Sequence, residues 1–97
     1  MLTGKQKRFL RAEAHHLDPI FQVGKGGVNG NMTKQISEAL EVRELLKVSV
    51  LQNCDEDRKD VAQELVAGTK AELVQVIGST IILYKESKEN KQIVLPR

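Results

Sequence analysis

Apolar residues recur at helical spacing in three stretches of the chain and fall into short extended runs between them. Phe9, Leu10, Ala14 and Leu17 can share one face of a first helix. Thr3-x-x-Gln6 is a capping-box pattern at its start, and Asp18-Pro19 ends it near Leu17, because proline disfavours the helical region at the residue before it. Ile20–Val23 reads as a short strand. Asn29 suits an N-cap, and Met32, Ile36, Ala39 and Leu40 predict a second helix running to about Val42. Leu45–Leu51 alternates as a strand, with Leu46, Val48 and Val50 on one face and Lys47 and Ser49 on the other. After a polar turn over 53–57, Val61, Ala62, Leu65 and Val66 mark a third helix, with Gly68 placed for a C-cap.

Leu73–Ile77 is a nearly continuous apolar run, the pattern of a strand at the centre of a sheet. Gly78-Ser79 suits a two-residue hairpin turn, and Thr80–Lys85 returns as its partner. Glu86–Gln92 is charged, so residues 85–97 are expected to form a partly mobile tail, with Ile93–Leu95 available as a short edge strand. The order α-β-α-β-α-β-β predicts a single α/β domain over residues 1–97, with three helices and a four-stranded mixed sheet.

Composition narrows the chemistry. The 97 residues suffice for one core but not for a large catalytic cleft as well. Aromatic residues are only 3%, namely Phe9, Phe21 and Tyr84, which argues against a platform of stacked bases. Net charge is +2, but Lys5, Lys7, Arg8 and Arg11 crowd one end while Asp55, Glu56, Asp57 and Asp60 crowd the middle. A lone cysteine, the lack of any membrane-length apolar run and the lack of a signal-like N-terminus lead to the expectation of a cytoplasmic protein.

The most informative stretch is Gly24-Lys25-Gly26-Gly27, between a predicted strand and a predicted helix. Glycines let another backbone approach, and the N–H groups of such a turn and of the following helix start favour phosphate. KH domains clamp a single-stranded backbone with a loop of this kind. Read structurally, the same residues are a flexible strand-to-helix turn. Lys5, Lys7, Arg8 and Arg11 can neutralise phosphates or simply form a solvated helix face; the absence of acids before Glu13 favours binding. Lys34 and Lys47 are further cations, and Asn29, Asn31 and Thr33 can donate to phosphate at the start of the second helix, although Asn29 can equally do no more than cap it.

Other chemistry is poorly supported. His15 and His16 point about 100° apart on a helix, and no Cys/His set accompanies them. The acids around Cys54 disfavour a nucleophilic role, and they do not follow an EF-hand pattern. No Walker motif, catalytic triad or Cys/His pair is present, so neither enzyme activity, nor a metal, nor a cofactor is expected.

Several segments taken together resemble the CRM domain, the chloroplast RNA-splicing and ribosome-maturation module, in its stand-alone bacterial YhbY-type form. They are Leu2-Thr3-Gly4-Lys5-Gln6-Lys7-Arg8, Val23-Gly24-Lys25-Gly26-Gly27-Val28, Ile36-x-x-Ala39-Leu40, Glu44-Leu45-Leu46-Lys47-Val48, Val76-Ile77-Gly78 and Leu83-Tyr84. The resemblance implies a fold similar to the C-terminal domain of translation initiation factor three. It also implies RNA binding through Gly24–Gly27 and association with precursors of the large ribosomal subunit. Arg43 and Lys85 stand where such proteins often carry histidine and arginine; both keep or add positive charge, but lysine lacks arginine's bidentate fork. The expected partner is ribosomal RNA, with ribosomal proteins as further candidates, no membrane, and a monomeric state. A protein-interaction module for a ribosomal protein or assembly GTPase is the competing reading, and binding of DNA is compatible with the charges.

Overall fold

Thr3 and Gln6 cap the first helix reciprocally in the computed structural model, which describes residues 1–97. Gln6 N–H donates to Thr3 Oγ1 at 3.1 Å, and Thr3 N–H donates to Gln6 Oε1 at 3.0 Å. This helix, α1, spans Gly4–Ala14 and stops short of the expected Leu17. His15 N–H and Leu17 N–H donate three residues back, to Ala12 and Ala14, so the last turn tightens. Lys47 Nζ then holds the Leu17 carbonyl at 2.9 Å as the chain turns towards the sheet.

The remaining elements are β1 (Phe21–Val23), α2 (Gly30–Arg43), β2 (Leu45–Val50), α3 (Arg58–Thr69), β3 (Glu72–Ile77) and β4 (Thr80–Tyr84). The strands lie in the order β1-β2-β4-β3; β1 and β2 are parallel and the other two pairs antiparallel. This is the α/β domain with three helices and a four-stranded mixed sheet that the pattern predicts.

The placement of β3 and the role of Gly68 differ from expectation as well. The apolar run of β3 lies at the sheet edge, and β4 is central. β3 is apolar because both its faces are covered: Val74 joins the core under α1, while Leu73 and Val76 pack against the core under α2 and α3. A register shift between Leu73 and Gln75 breaks the simple alternation. The second difference is Gly68, which does not cap α3; the helix continues to Thr69, and Lys70 takes the left-handed cap at φ 61°. Gly68 is instead a contact point, since a Cβ there would lie 2.6 Å from Thr33 Cγ2 of α2.

The core is in two parts, one on each side of the sheet. Ile36, Leu40, Val61 and Leu65 meet Leu46, Val48, Ile81 and Leu83 on the α2–α3 side. Leu2, Leu10 and Ala14 meet Leu45, Val74, Ile82 and Tyr84 on the α1 side, where Ile93 and Leu95 also pack. The strand expected at Ile93–Leu95 does not form, and residues 85–97 contain no regular element. Two carboxylates tie this segment down instead. Glu41 accepts from Ser87 Oγ at 2.7 Å and from the N–H groups of Lys88 and Glu89 at 3.0 and 2.9 Å. Glu44 accepts from the N–H groups of Ser87, Gln92 and Ile93 at 2.8, 2.6 and 2.8 Å.

Candidate nucleic-acid interface

The glycine loop leaves the end of β1 as a tight turn in which Gly27 N–H donates to the Gly24 carbonyl at 3.0 Å. Lys25 and Gly26 occupy the exposed tip. The glycines differ in what the fold asks of them. Gly27 has φ +67°, and a Cβ there would lie 2.9 Å from Glu56 Oε2, so the fold itself requires glycine. Gly26 has an ordinary φ and nothing within 4 Å of an added Cβ. The fold gives no reason for glycine at 26, whereas close approach by a ligand backbone does.

Three residues further on, α2 begins. Asn29 Oδ1 accepts from Met32 N–H at 2.9 Å, so the capping reading of Asn29 holds and only its amide nitrogen is left to reach outward. Gly30 and Asn31 are the first two helical positions, whose N–H groups have no partner within the helix. Asn31 and Lys34 are exposed and three residues apart, so they are neighbours on the helix surface. Thr33 is turned to other uses: its hydroxyl donates to the Gly30 carbonyl at 3.0 Å, and its methyl meets Gly68.

On α1, Lys5, Lys7 and Arg8 are exposed and Arg11 is half-buried. The structure contains two ion pairs, Met1 with Glu72 and Lys91 with Glu86. Lys5, Lys7, Arg8, Arg11, Lys25 and Lys34 therefore carry charge unpaired by any carboxylate. Lys47, by contrast, is occupied by the Leu17 carbonyl. The fold does not bring the two basic features onto one layer. α1 covers one face of the sheet, and the glycine loop leads from β1 to the helices on the other. A ligand touching both has to pass round the margin of the sheet.

Sequence reasoning missed what stands beside the loop. The connection from β2 to α3 runs against it, held by Leu51 N–H donating to the Val23 carbonyl at 2.9 Å. A Cβ on Gly24 would lie 3.4 Å from Asn53 Oδ1 and 3.6 Å from Leu51 Cδ1. Glu56 leans on Gly27 in the same way. A hydrogen bond shared with the Glu64 carboxyl, partial burial and the charges of Glu64 and Asp60 push Glu56 above the ordinary carboxylate range. No spacing rule links 24 to 53 or 27 to 56; these are contacts between loops, set by parallel pairing of β1 and β2.

Tyr84 is 4% exposed and Phe21 packs against the core, so stacking of bases on aromatic rings has little to work with. His15 and His16 meet edge to face, with centroids 5.4 Å apart, and no group of three metal-ligating side chains is assembled anywhere. No helix is long and apolar enough to cross a membrane.

An α/β domain that presents a glycine turn and a helix N-terminus beside unpaired lysines has the chemistry to receive a phosphodiester backbone. Residues 2–85 match the model of the CRS1 / YhbY (CRM) domain, and the chain belongs to that family. It is 77% identical over 96 residues to "Probable RNA-binding protein YqeI" of Bacillus subtilis, covering 99% of this chain and 100% of the relative. It is 41% identical over 96 residues to an "RNA-binding protein" of Haemophilus influenzae, covering 99% and 96%. The solution structure of SAV1595 from Staphylococcus aureus, 64% identical, superposes with a TM-score of 0.82 over 99% of this chain and 100% of that one.

Proposed function

We propose that the chain is a non-enzymatic, monomeric cytoplasmic protein that binds ribosomal RNA in precursors of the large ribosomal subunit and acts there as an assembly factor. The glycine loop grips a short stretch of RNA backbone, and α1 supplies electrostatic attraction from the other face. One observation carries this reading: Gly26, beside the unpaired Lys25, is a glycine that the fold does not require. The RNA-binding names of the relatives support the class of ligand. The large-subunit assignment rests on the resemblance of the motifs.

Ribosome-gradient sedimentation of the tagged protein, with sequencing of crosslinked RNA, tests it. Co-migration with large-subunit precursors and crosslinks at a defined ribosomal RNA region are expected. Sedimentation at the top of the gradient with no enriched RNA overturns the ribosomal role. A second reading, a protein-interaction module, draws on one observation. Val42 is 59% exposed beside Leu17, Leu45 and Ile93 in an open groove flanked by Glu13 and Arg43. Salt separates the two: binding through several phosphates falls steeply with ionic strength, and an apolar interface does not.

A further inference from the structure

The glycine loop has two unlike sides. At its tip, Lys25 and Gly26 are exposed, and nothing lies within 4 Å of a Cβ built on Gly26. On its inner side stands the β2–α3 connection, with Asn53 and Leu51 against Gly24 and Glu56 against Gly27. We infer that this connection is the second lip of the site, and that Glu56, with Asn53 beside it, selects bases carrying an exocyclic amino group (adenine, cytosine and guanine) over uracil. The inference rests on the RNA-binding reading above and adds base selection to it.

The argument is one of charge and donor count. Phosphates belong at the tip, where lysine and free N–H groups are found, because the carboxylate on the other side repels them. A strand lying along the tip therefore turns its bases either to solvent or towards the lip. An ionised carboxylate only accepts hydrogen bonds, so whatever faces Glu56 must donate. Adenine, cytosine and guanine each offer an amino group on the Watson–Crick edge, and guanine adds an N–H beside it. Uracil offers one N–H between two carbonyls, and those carbonyls face the carboxylate oxygens unfavourably. Asn53 can both donate and accept, so it contributes to every base without choosing among them. Leu51, 38% exposed, gives a base ring an apolar surface. With Tyr84 buried, Phe21 packed on the core and Phe9 packed on the α1 side of the sheet, no aromatic side chain competes for the role of selector.

The test is fluorescence anisotropy of the full chain with short oligoadenylate, oligocytidylate and oligouridylate at mildly alkaline pH, which favours the ionised form of Glu56. Wild type should bind the adenylate and cytidylate about fivefold or more tighter than the uridylate, the discrimination that one good base-edge contact provides. Glu56→Gln is nearly isosteric, keeps the space above Gly27 and adds a donor. It should bring the uridylate to within about twofold of the others. Asn53→Ala should weaken all three alike and leave the salt dependence unchanged, because every phosphate keeps its partner. Binding without base preference in wild type overturns the inference while leaving RNA binding intact. So does a Glu56→Gln variant that keeps the preference, or one that tightens all three by a common factor, which makes Glu56 a repelling charge only. Failure of wild type to bind any of the three removes the RNA-binding reading and the inference with it.

Discussion

Gly68 of α3 sits against the Thr33 side chain of α2 so closely that a Cβ would lie 2.6 Å from Thr33 Cγ2 and 3.1 Å from Thr33 Cβ. Helix propensity favours alanine over glycine by about 1 kcal/mol, so a purely local view predicts that Gly68→Ala stabilises the protein. The contact predicts the reverse. Overpacking should make Gly68→Ala destabilising by about 1–3 kcal/mol in urea melts. Adding Thr33→Ser, which removes Cγ2 and keeps the hydroxyl bonded to Gly30, should recover most of that stability.

Glu44 is fully buried at φ +64°, and its carboxylate gathers the backbone of the C-terminal segment. Burial alone would raise its pKa, but the N–H donors of Ser87, Gln92 and Ile93 outweigh burial and hold it below the ordinary 4.5. A folded value below the unfolded one means that this stabilisation is complete above about 4.5 and is lost as pH falls through the depressed folded value. Glu44→Ala should cost about 3 kcal/mol near neutral pH and flatten the acid limb of the stability curve. Limited proteolysis should then cut at Lys88 and Lys91, because Glu44 no longer holds the flanking backbone.

The glycines of the loop should separate on substitution. Gly27→Ala should destabilise by about 1–2 kcal/mol, since it combines a left-handed φ with the Glu56 contact. Gly26→Ala should stay within about 0.5 kcal/mol of wild type. Replacing Lys25 and Gly26 together by aspartate should leave the melting temperature unchanged and weaken RNA binding about tenfold or more. Full RNA affinity in the folded double variant rules out the loop as the gripping element.

The role of α1 is readable in salt. Changing Lys5, Lys7, Arg8 and Arg11 to glutamine should lower the slope of log affinity against log salt by about 0.7 for each single-strand phosphate that is no longer neutralised. An unchanged slope identifies this face as solubilising only.

A hydrogen bond shared with the Glu64 carboxyl, partial desolvation and the charges of Glu64 and Asp60 together raise the Glu56 pKa beside the loop. A raised folded pKa in an acid means that the folded state holds the proton more tightly, so the site disfavours folding above that pKa and is relieved below it. Glu64→Gln should raise the melting temperature near neutral pH, with the gain shrinking as pH falls into the acid range. Thermal melts across pH check the sign.

Local physics was legible in the chain. Thr3 and Gln6 announced their capping box, Asn29 its cap and Gly78-Ser79 its hairpin turn, because each depends on residues within a few positions. Helical apolar periods locate the three helices, and alternation at Leu45–Leu51 together with short apolar runs elsewhere locates the four strands, because burial on one face imposes a fixed spacing. The loop at Gly24–Gly27 is legible from its glycines, set between a predicted strand and a helix start. Gly68 and Leu73–Ile77 were misplaced because their composition answers to partners far away in sequence: Thr33 for one, two covering layers for the other.

The elements, their order and the position of the glycine turn follow from the chain alone, since propensity, capping and periodicity act over short range. Only the tertiary structure decided which strand is central and which residues stand opposite that turn. It also turned Glu44 from one letter of a motif into the buried anchor of the C-terminal segment. Those outcomes depend on strand pairing and on carboxylates meeting backbone N–H groups more than forty positions away, and no local pattern encodes such distances.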